Sequence, residues 1–256
     1  MIEVKTQYPF AVESPDFLSQ QQENLKLSFS AAADNTTNLK LVRKIGEYFS
    51  EKRKKPISEL RLNCLDLGCA GGQFILDLAN QEFTDVCVGL DGVAGSLGRY
   101  NWLTKKDIFF NADLSKEYEI LNEKGVLKFD LITSWEVIEH LHVSELDTFF
   151  KTMHKHLAPD GIFIGSIAMF SDTRDANGYV ADFHLHRHHY DPTTEQFVLH
   201  QSVFDEKTWR DEILKEYRVE EYPFKDSSCG CGYLALNDHT TSPTGRPGSY
   251  YLMIEK

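Results

Sequence analysis

Three side chains that resist burial, Glu136, Glu139 and His140, follow directly on the apolar run "FDLITSW" at 129–135. If the run is a strand that passes into a helical turn at Glu136, Glu139 and His140 at i+3 and i+4 share its face. Two carboxylates and an imidazole then converge, a donor set that suits Mg²⁺, Mn²⁺, Fe²⁺ or Zn²⁺ when a fourth ligand comes from elsewhere. The same residues also suit a helix start with no ligand, because the helix dipole favours carboxylates there. Both readings stay open on spacing alone. Histidines further along offer the fourth ligand. In "HLHRHHY", His184, His186 and His188 alternate, so an extended segment points all three to one side, as a metal or substrate site would need; solvated imidazoles on a polar loop fit equally. His200 in "LHQSVF" stands just before Val203, Phe204 and the segment carrying Trp209, which holds its backbone at the edge of the core. His200 is the first choice as fourth ligand, with His184, His186 and His188 as base or substrate contacts.

A second constellation is acidic and rich in glycine. In "LDLGCAGGQF", Asp66, Gly68 and Gly72 sit across a turn between an apolar run and a helical one. Glycines there let the backbone approach a ligand and adopt positive φ, and the N–H groups of the following helix attract polar or anionic groups. The run "VGLDG" ends in Asp91 and Gly92, where a carboxylate can accept hydrogen bonds from both hydroxyls of a ribose. The run "NADL" places Asp113 near an adenine amine. Each has an alternative without a ligand: Asp91 as a turn residue, Asp113 as the cap of the next segment. Three acidic strand ends on one rim favour a nucleotide-type cofactor.

The elements that position these residues follow from periodicity. "NTTNLKLVRKIGEYFSEK" puts Leu39, Leu41, Val42, Ile45 and Phe49 on one helical face. Beyond Pro56, strand-like "RLNCLDLG", helical "QFILDLANQ", strand-like "DVCVGLDG" and helical "GSLGRYNWLTKK" alternate. Strand "DIFFNAD", a looser acidic segment, strand "FDLITSW", helix "ELDTFFKTMHKHLA" and, after a Pro159-Asp160-Gly161 turn, strand "GIFIGSIAM" continue the series. Alternation without hairpins predicts an α/β fold, a doubly wound, mostly parallel sheet with an insertion after strand five and ligands at the carboxyl ends of the strands. From 170 to 204 the pattern breaks into a His-, Asp- and aromatic-rich insertion, the expected cover on the substrate side. "DEKTWRDEILKEY" reads as a helix, and "RVEEYPF" and "SYYLMIEK" as closing strands.

Composition narrows the partners. A chain of 256 residues, 41% hydrophobic, can bury one sizeable core. A formal charge of −12 gives no long-range attraction to phosphate backbones, which disfavours nucleic acid as a partner. "MIEVKTQYPFAVESPDF" lacks the basic and apolar regions of a secretory signal, and no apolar run is long enough to span a bilayer. Five scattered cysteines fit reduced thiols. These features together lead to the expectation of a cytoplasmic protein with no membrane partner. The pair Cys229 and Cys231 reads as the small-residue start of a strand, and Asn35 and Asn38 could cap the first helix.

The motifs "LDLGCAGG", "VGLDGV", "NADL", "FDLITSWEVIEHL" and "LAPDGIFI", spanning Leu62 to Met169, resemble the class I S-adenosylmethionine-dependent methyltransferases, which have a Rossmann-like fold. The resemblance implies that Asp66, Gly68, Ala70 and Gly72 line the methionine half of S-adenosyl-L-methionine, that Asp91 with Gly92 binds the ribose, and that Asp113 and Leu114 flank the adenine. Ser134 and Trp135 would reach the cofactor from the next strand end. Ala70 stands where such loops commonly carry glycine, a swap that is tolerable if φ stays negative. A dehydrogenase would also use a glycine turn, but with G-x-G-x-x-G spacing in place of the G-x-x-G-G seen here. Residues 1–58 would then form an N-terminal helical cap and 59–256 the methyltransferase domain.

The segment Glu136 to His140 resembles the Glu-x-x-Glu-His metal segment of Hen-type small-RNA ribose methyltransferases, whose further metal histidine lies four residues before an aromatic, as His200 does before Phe204. It is similar also to "EVIEH" segments of ubiquinone-pathway O-methyltransferases. "YPFAVESPDF", "DNTTN" and "LHQSVF" are similar to segments of bacterial methyltransferases of sugar and capsule gene clusters. The expected function is O-methyl transfer to a small molecule, sugar or capsule or glycan precursor in polysaccharide biosynthesis, with a divalent metal positioning the acceptor oxygen. The alternatives are an RNA 3′-terminal ribose 2′-O-methyltransferase, a metal-independent small-molecule methyltransferase, and a cofactor-binding partner subunit without catalysis.

Overall fold

The computed structural model describes residues 1–9, 39–92, 107–168, 190–191, 196–197, 202, 204–224 and 249–256. Among them, strand β1 (Glu3–Thr6) precedes helix α1 (Leu39–Arg53), strand β2 (Leu62–Leu67), helix α2 (Gln73–Ala79) and strand β3 (Thr84–Asp91). Strands β4 (Phe109–Asn111), β5 (Tyr118–Asn122), β6 (Gly125–Val126) and β7 (Phe129–Trp135) lead to helix α3 (Leu146–His156) and strand β8 (Leu157–Ala168). The short strands β9 (Tyr190–Asp191) and β10 (Gln196–Phe197) pair with each other within the 170–204 insertion, and β11 (Arg218–Glu220) and β12 (Ser249–Glu255) close the chain. The expected helix at "GSLGRYNWLTKK" lies outside the described residues.

Seven strands form one sheet in the order β11-β12-β8-β7-β2-β3-β4. The β2–β3, β3–β4, β2–β7 and β7–β8 pairs are parallel, and β12 runs antiparallel to both β8 and β11. The chain leaves β2 towards β3 and β4, then returns to the other side of β2 with β7. The switch point therefore falls between β2 and β7, where an open parallel sheet offers a crevice beyond its strand ends. Central strands buried on both faces must be apolar throughout. Accordingly Leu62, Cys64, Leu65 and Leu67 of β2 and Phe129, Leu131 and Ile132 of β7 are buried. Helix α1 buries Leu41, Val42, Ile45 and Phe49, but Leu39, expected on that face, is 56% exposed at the first turn. Arg53, in its last turn, bonds Asp130, which also accepts the Asn63 amide at 2.7 Å, so the helix is latched to the amino end of the sheet.

Three local expectations change. The acidic stretch after Asp113 is not loose: β5 and β6 form a hairpin, and β1 pairs antiparallel with β5. The turn between them holds because the Asn122 side chain accepts the Lys124 amide at 2.8 Å and Gly125 takes a φ of 111°. Buried His156 of α3 supports the hairpin from below, with its ring stacked on Tyr118 at 5.7 Å and Nδ1 3.0 Å from the Leu127 carbonyl. Burial, the largest influence, holds its pKa below the usual imidazole range. The amino-terminal 58 residues, expected as a helical cap, thus contain a strand as well as a helix that is part of the core. Third, Pro159-Asp160-Gly161 lies within β8, where the pairing with β7 shifts register, and the helix expected around Trp209 is a short turn at Glu206–Thr208 continued as a π-turn over Trp209–Ile213. Cys64, Cys69 and Cys87 are buried free thiols; Cys229, Cys231, Asn35 and Asn38 lie outside the described residues. No helix among the described residues is long and apolar enough to cross a membrane.

Gly72, which opens α2, takes a φ of 83°, and a Cβ there would lie 2.1 Å from Phe109 Cε1. Gly72→Ala combines left-handed strain with overpacking, so it is expected to cost about 2–4 kcal/mol. Gly125→Ala, which shares the positive φ but meets nothing within 4 Å, should cost less, and urea titration of the two variants measures the difference.

Candidate active site

The parallel order β7-β2-β3-β4 brings four strand ends to one rim: Leu67 with Gly68, Asp91 with Gly92, Asn111 with Asp113, and Trp135 with Glu136. The loop after β2 is shaped by backbone bonds to its neighbour. Gly68 and Cys69 both donate to the Leu90 carbonyl, at 2.8 and 3.0 Å, and Gly72 donates to Cys69 O at 2.7 Å. Ala70 donates its amide to Asp91 Oδ2 at 2.8 Å. Gly68, Ala70 and Gly72 have φ of 75°, 46° and 83°. The negative φ anticipated for Ala70 is therefore corrected: alanine is held left-handed, a conformation that costs a non-glycine residue about 1–2 kcal/mol. The charge-assisted bond from its amide to Asp91 offsets that cost.

Three carboxylates, Asp66, Asp91 and Asp113, are buried at this rim. Asp66 accepts the Thr133 hydroxyl at 2.6 Å, and its pKa is raised to about 7, first by burial and then by the Asp91 charge, while the Thr133 bond opposes the shift. The neighbouring Cys69 thiol is pushed up by burial and by the Asp91 and Asp66 charges. Asp113 accepts the Ser115 amide and hydroxyl at Oδ1, at 2.9 and 2.7 Å, so one oxygen shapes its own turn. The Asp113 amide donates to Tyr8 O at 2.8 Å, which brings the chain beyond β1 to the rim; the Tyr8 side chain is 44% exposed there. Leu114 is buried in the core behind Asp113.

On β7, Ser134 is fully buried and donates to Leu67 O at 3.1 Å. Trp135 packs edge-on against Phe74 at 5.6 Å, and its indole N–H has no hydrogen-bond partner among the described residues. Glu136 does not begin a helical turn as expected. Its φ is 53°, its amide donates to Ser166 O at 3.0 Å, and the turn that follows is a 3₁₀ turn over Ile138–His140. The kink folds Val137 over the glycine loop so closely that a Cβ on Gly68 would lie 2.3 Å from Val137 Cγ2. Glu136 thus lies outside the turn that carries Glu139 and His140. Among the described residues no three His, Cys, Asp or Glu side chains form a group that could hold a metal. His184, His186, His188 and His200 lie outside the described residues. Ser202, two positions after His200, donates its amide to Glu139 O at 2.9 Å and its hydroxyl to Leu141 O at 2.6 Å. Thr133, Ser166 and Tyr8 are rim residues that pattern reading passes over; Thr133 and Ser166, hydroxyls within apolar runs, carry a local signal.

Residues 34–212 match the sequence profile of the methyltransferase domain family. The chain belongs to this family. The matched segment carries β2, β3, β4, β7 and β8 of the mostly parallel seven-stranded sheet described above. The chain is 30% identical over 120 residues to the ubiquinone biosynthesis O-methyltransferase of Rickettsia typhi, covering 46% of each chain. The Rickettsia prowazekii protein of the same name is 29% identical, over 46% of this chain and 45% of its own. The methyltransferase thus spans about half the length of the curated relatives it matches. Its fold is similar to that of an S-adenosylmethionine-dependent methyltransferase from Clostridium acetobutylicum, with a TM-score of 0.51, 14% identity and coverage of 93% of this chain and 98% of that one. It is similar also to the 1,6-didemethyltoxoflavin-N1-methyltransferase of Burkholderia thailandensis, with a TM-score of 0.51, 15% identity and coverage of 94% and 85%.

Asp91 latches the loop, and its expected role at the ribose can be tested directly. Asp91→Ala is expected to weaken S-adenosylmethionine binding by about 1–3 kcal/mol, the scale of charged hydrogen bonds. Titration calorimetry measures this, and unchanged affinity would remove Asp91 from the cofactor site.

Proposed function

We propose that the protein transfers a methyl group from S-adenosyl-L-methionine to a hydroxyl oxygen of a small molecule. The observation that carries this reading is the latched glycine loop, in which Asp91 holds Ala70 between the left-handed Gly68 and Gly72 at the switch point of the sheet. The residues fit the cofactor: Asp66 and Asp91 are a buried acidic pair whose mutual repulsion helps raise the Asp66 pKa to about 7, and a cationic ligand relieves that repulsion. The cofactor supplies a methyl group on a sulfonium, whose departure as a neutral thioether needs alignment more than acid or base chemistry. In this reading Asp66 and the glycine loop take the methionine half, Asp91 and Gly92 the ribose, and Asp113 and Leu114 the adenine, with Ser134 and Trp135 forming the wall towards the acceptor. The 170–204 insertion of the 59–256 domain would face the substrate in this reading, with His184, His186 and His188 as base or substrate contacts. The partly matched ubiquinone biosynthesis O-methyltransferases support an oxygen acceptor. A sugar or glycan precursor is one class within it; the charge of −12 argues against RNA. Free buried thiols support a cytoplasmic setting.

A second reading places a divalent metal at Glu136, Glu139, His140 and His200. It is favoured by the two bonds that Ser202 makes to the Glu139–Leu141 turn, since two residues of chain keep the His200 backbone within about 7 Å of Ser202. The donor chemistry fits; among the described residues alone no three such side chains form a metal-holding group, so the reading depends on His200. A metal held there would lower the pKa of an acceptor hydroxyl.

Labelled cofactor offered with phenols, sugar nucleotides and short RNAs tests the first reading. Methylation of a small hydroxyl compound is expected, and methylation confined to RNA would overturn it. Chelator added to the active pair tests the second: loss of turnover with cofactor affinity retained, and about one bound divalent ion per chain, are expected. Full turnover in excess chelator would sink it.

A further inference from the structure

We propose that Thr133 is a positioning residue for the cofactor: its hydroxyl holds the Asp66 carboxylate ionised and oriented for the cationic methionine half. The inference rests on the placement of Asp66 at that half. Thr133 and Asp66 stand opposite each other in the parallel β7–β2 register, and both are buried, at 0% and 3% exposure. The hydroxyl lies 2.6 Å from Asp66 Oδ1 and 3.4 Å from the Leu65 carbonyl. Two proton arrangements follow. With Asp66 ionised, the Thr133 hydroxyl donates to it. With Asp66 neutral, the carboxyl proton can point at Thr133 Oγ1 while that hydroxyl turns towards Leu65 O. A central parallel strand would otherwise carry valine at this place, because a hydroxyl costs stability there unless it is bonded.

The groups facing Asp66 are the Asp91 carboxylate from β3, the Cys69 thiol from the loop and Thr133 from β7. Burial and Asp91 favour the neutral carboxyl, and among these groups only Thr133 favours the charged one. The cofactor brings a sulfonium and an ammonium, so it binds the ionised form better. The sign follows: affinity falls as pH drops through the Asp66 pKa, and removing the Thr133 hydroxyl moves that fall to higher pH.

The test is calorimetric binding of S-adenosylmethionine to the wild-type chain, Thr133→Val, Thr133→Ser and Asp66→Asn across the pH range. The ratio of variant to wild-type dissociation constants cancels the titration of the ligand itself. For Thr133→Val the ratio is expected to be about tenfold near pH 6 and to approach one near pH 9, the scale of one lost hydrogen bond to a charge. Thr133→Ser should stay near one throughout. A Thr133→Val ratio that does not change with pH, whether large or small, would overturn the proposal. Asp66→Asn separates the two levels. If it binds as tightly as wild type at high pH, the placement of Asp66 at the cofactor fails; if it binds weakly while Thr133→Val shows no pH-dependent ratio, only the role of Thr133 fails.

Discussion

The bond from the Ala70 amide to the Asp91 carboxylate is the contact on which the rim depends. It ties the loop after β2 to the end of β3 and holds a non-glycine residue in a left-handed conformation. In the surrounding low dielectric it is a charge-assisted bond, stronger than a neutral one. The same carboxylate helps raise the pKa of Asp66 on the neighbouring strand β2. One acidic side chain thus sets the shape of the loop and the charge state of its neighbour. Loop geometry and electrostatics at this site cannot be altered separately.

A second constraint comes from β7. Glu136, with its φ of 53°, turns the chain back so that Val137 lies over Gly68. Gly68 is therefore required twice, by its own backbone angle and by the side chain above it. Packing of this kind links the glycine loop to the segment that carries Glu139, and through that segment to Ser202. The two sides of the rim share one mechanical unit.

The sheet was legible in the sequence because strands buried on both faces must be apolar along their length, as "LNCLDL" and "FDLITSW" are. The rim carboxylates were legible for the same reason, as charges placed where apolar runs stop. The hairpin at Tyr118–Val126 was not, because its outer positions are acidic and the feature that stabilises it, His156, lies some thirty residues away in α3. Nor were the left-handed angles at Ala70 and Glu136. Neither residue type asks for positive φ, and both take it from tertiary contacts, the carboxylate of Asp91 and the carbonyl of Ser166. The spacing of Glu136, Glu139 and His140 suggested one face only on the assumption of a regular helix.

The pairing of β1 with β5 has a consequence for how the chain is made. Glu3–Thr6 is synthesised before its partner strand, which follows only about a hundred residues later. Until then the early strand has an unpaired edge, and the Asp113 amide that would meet Tyr8 O has not been synthesised. Closing this side of the rim is thus a long-range step, in which β1 waits for the strands around β4 and β5.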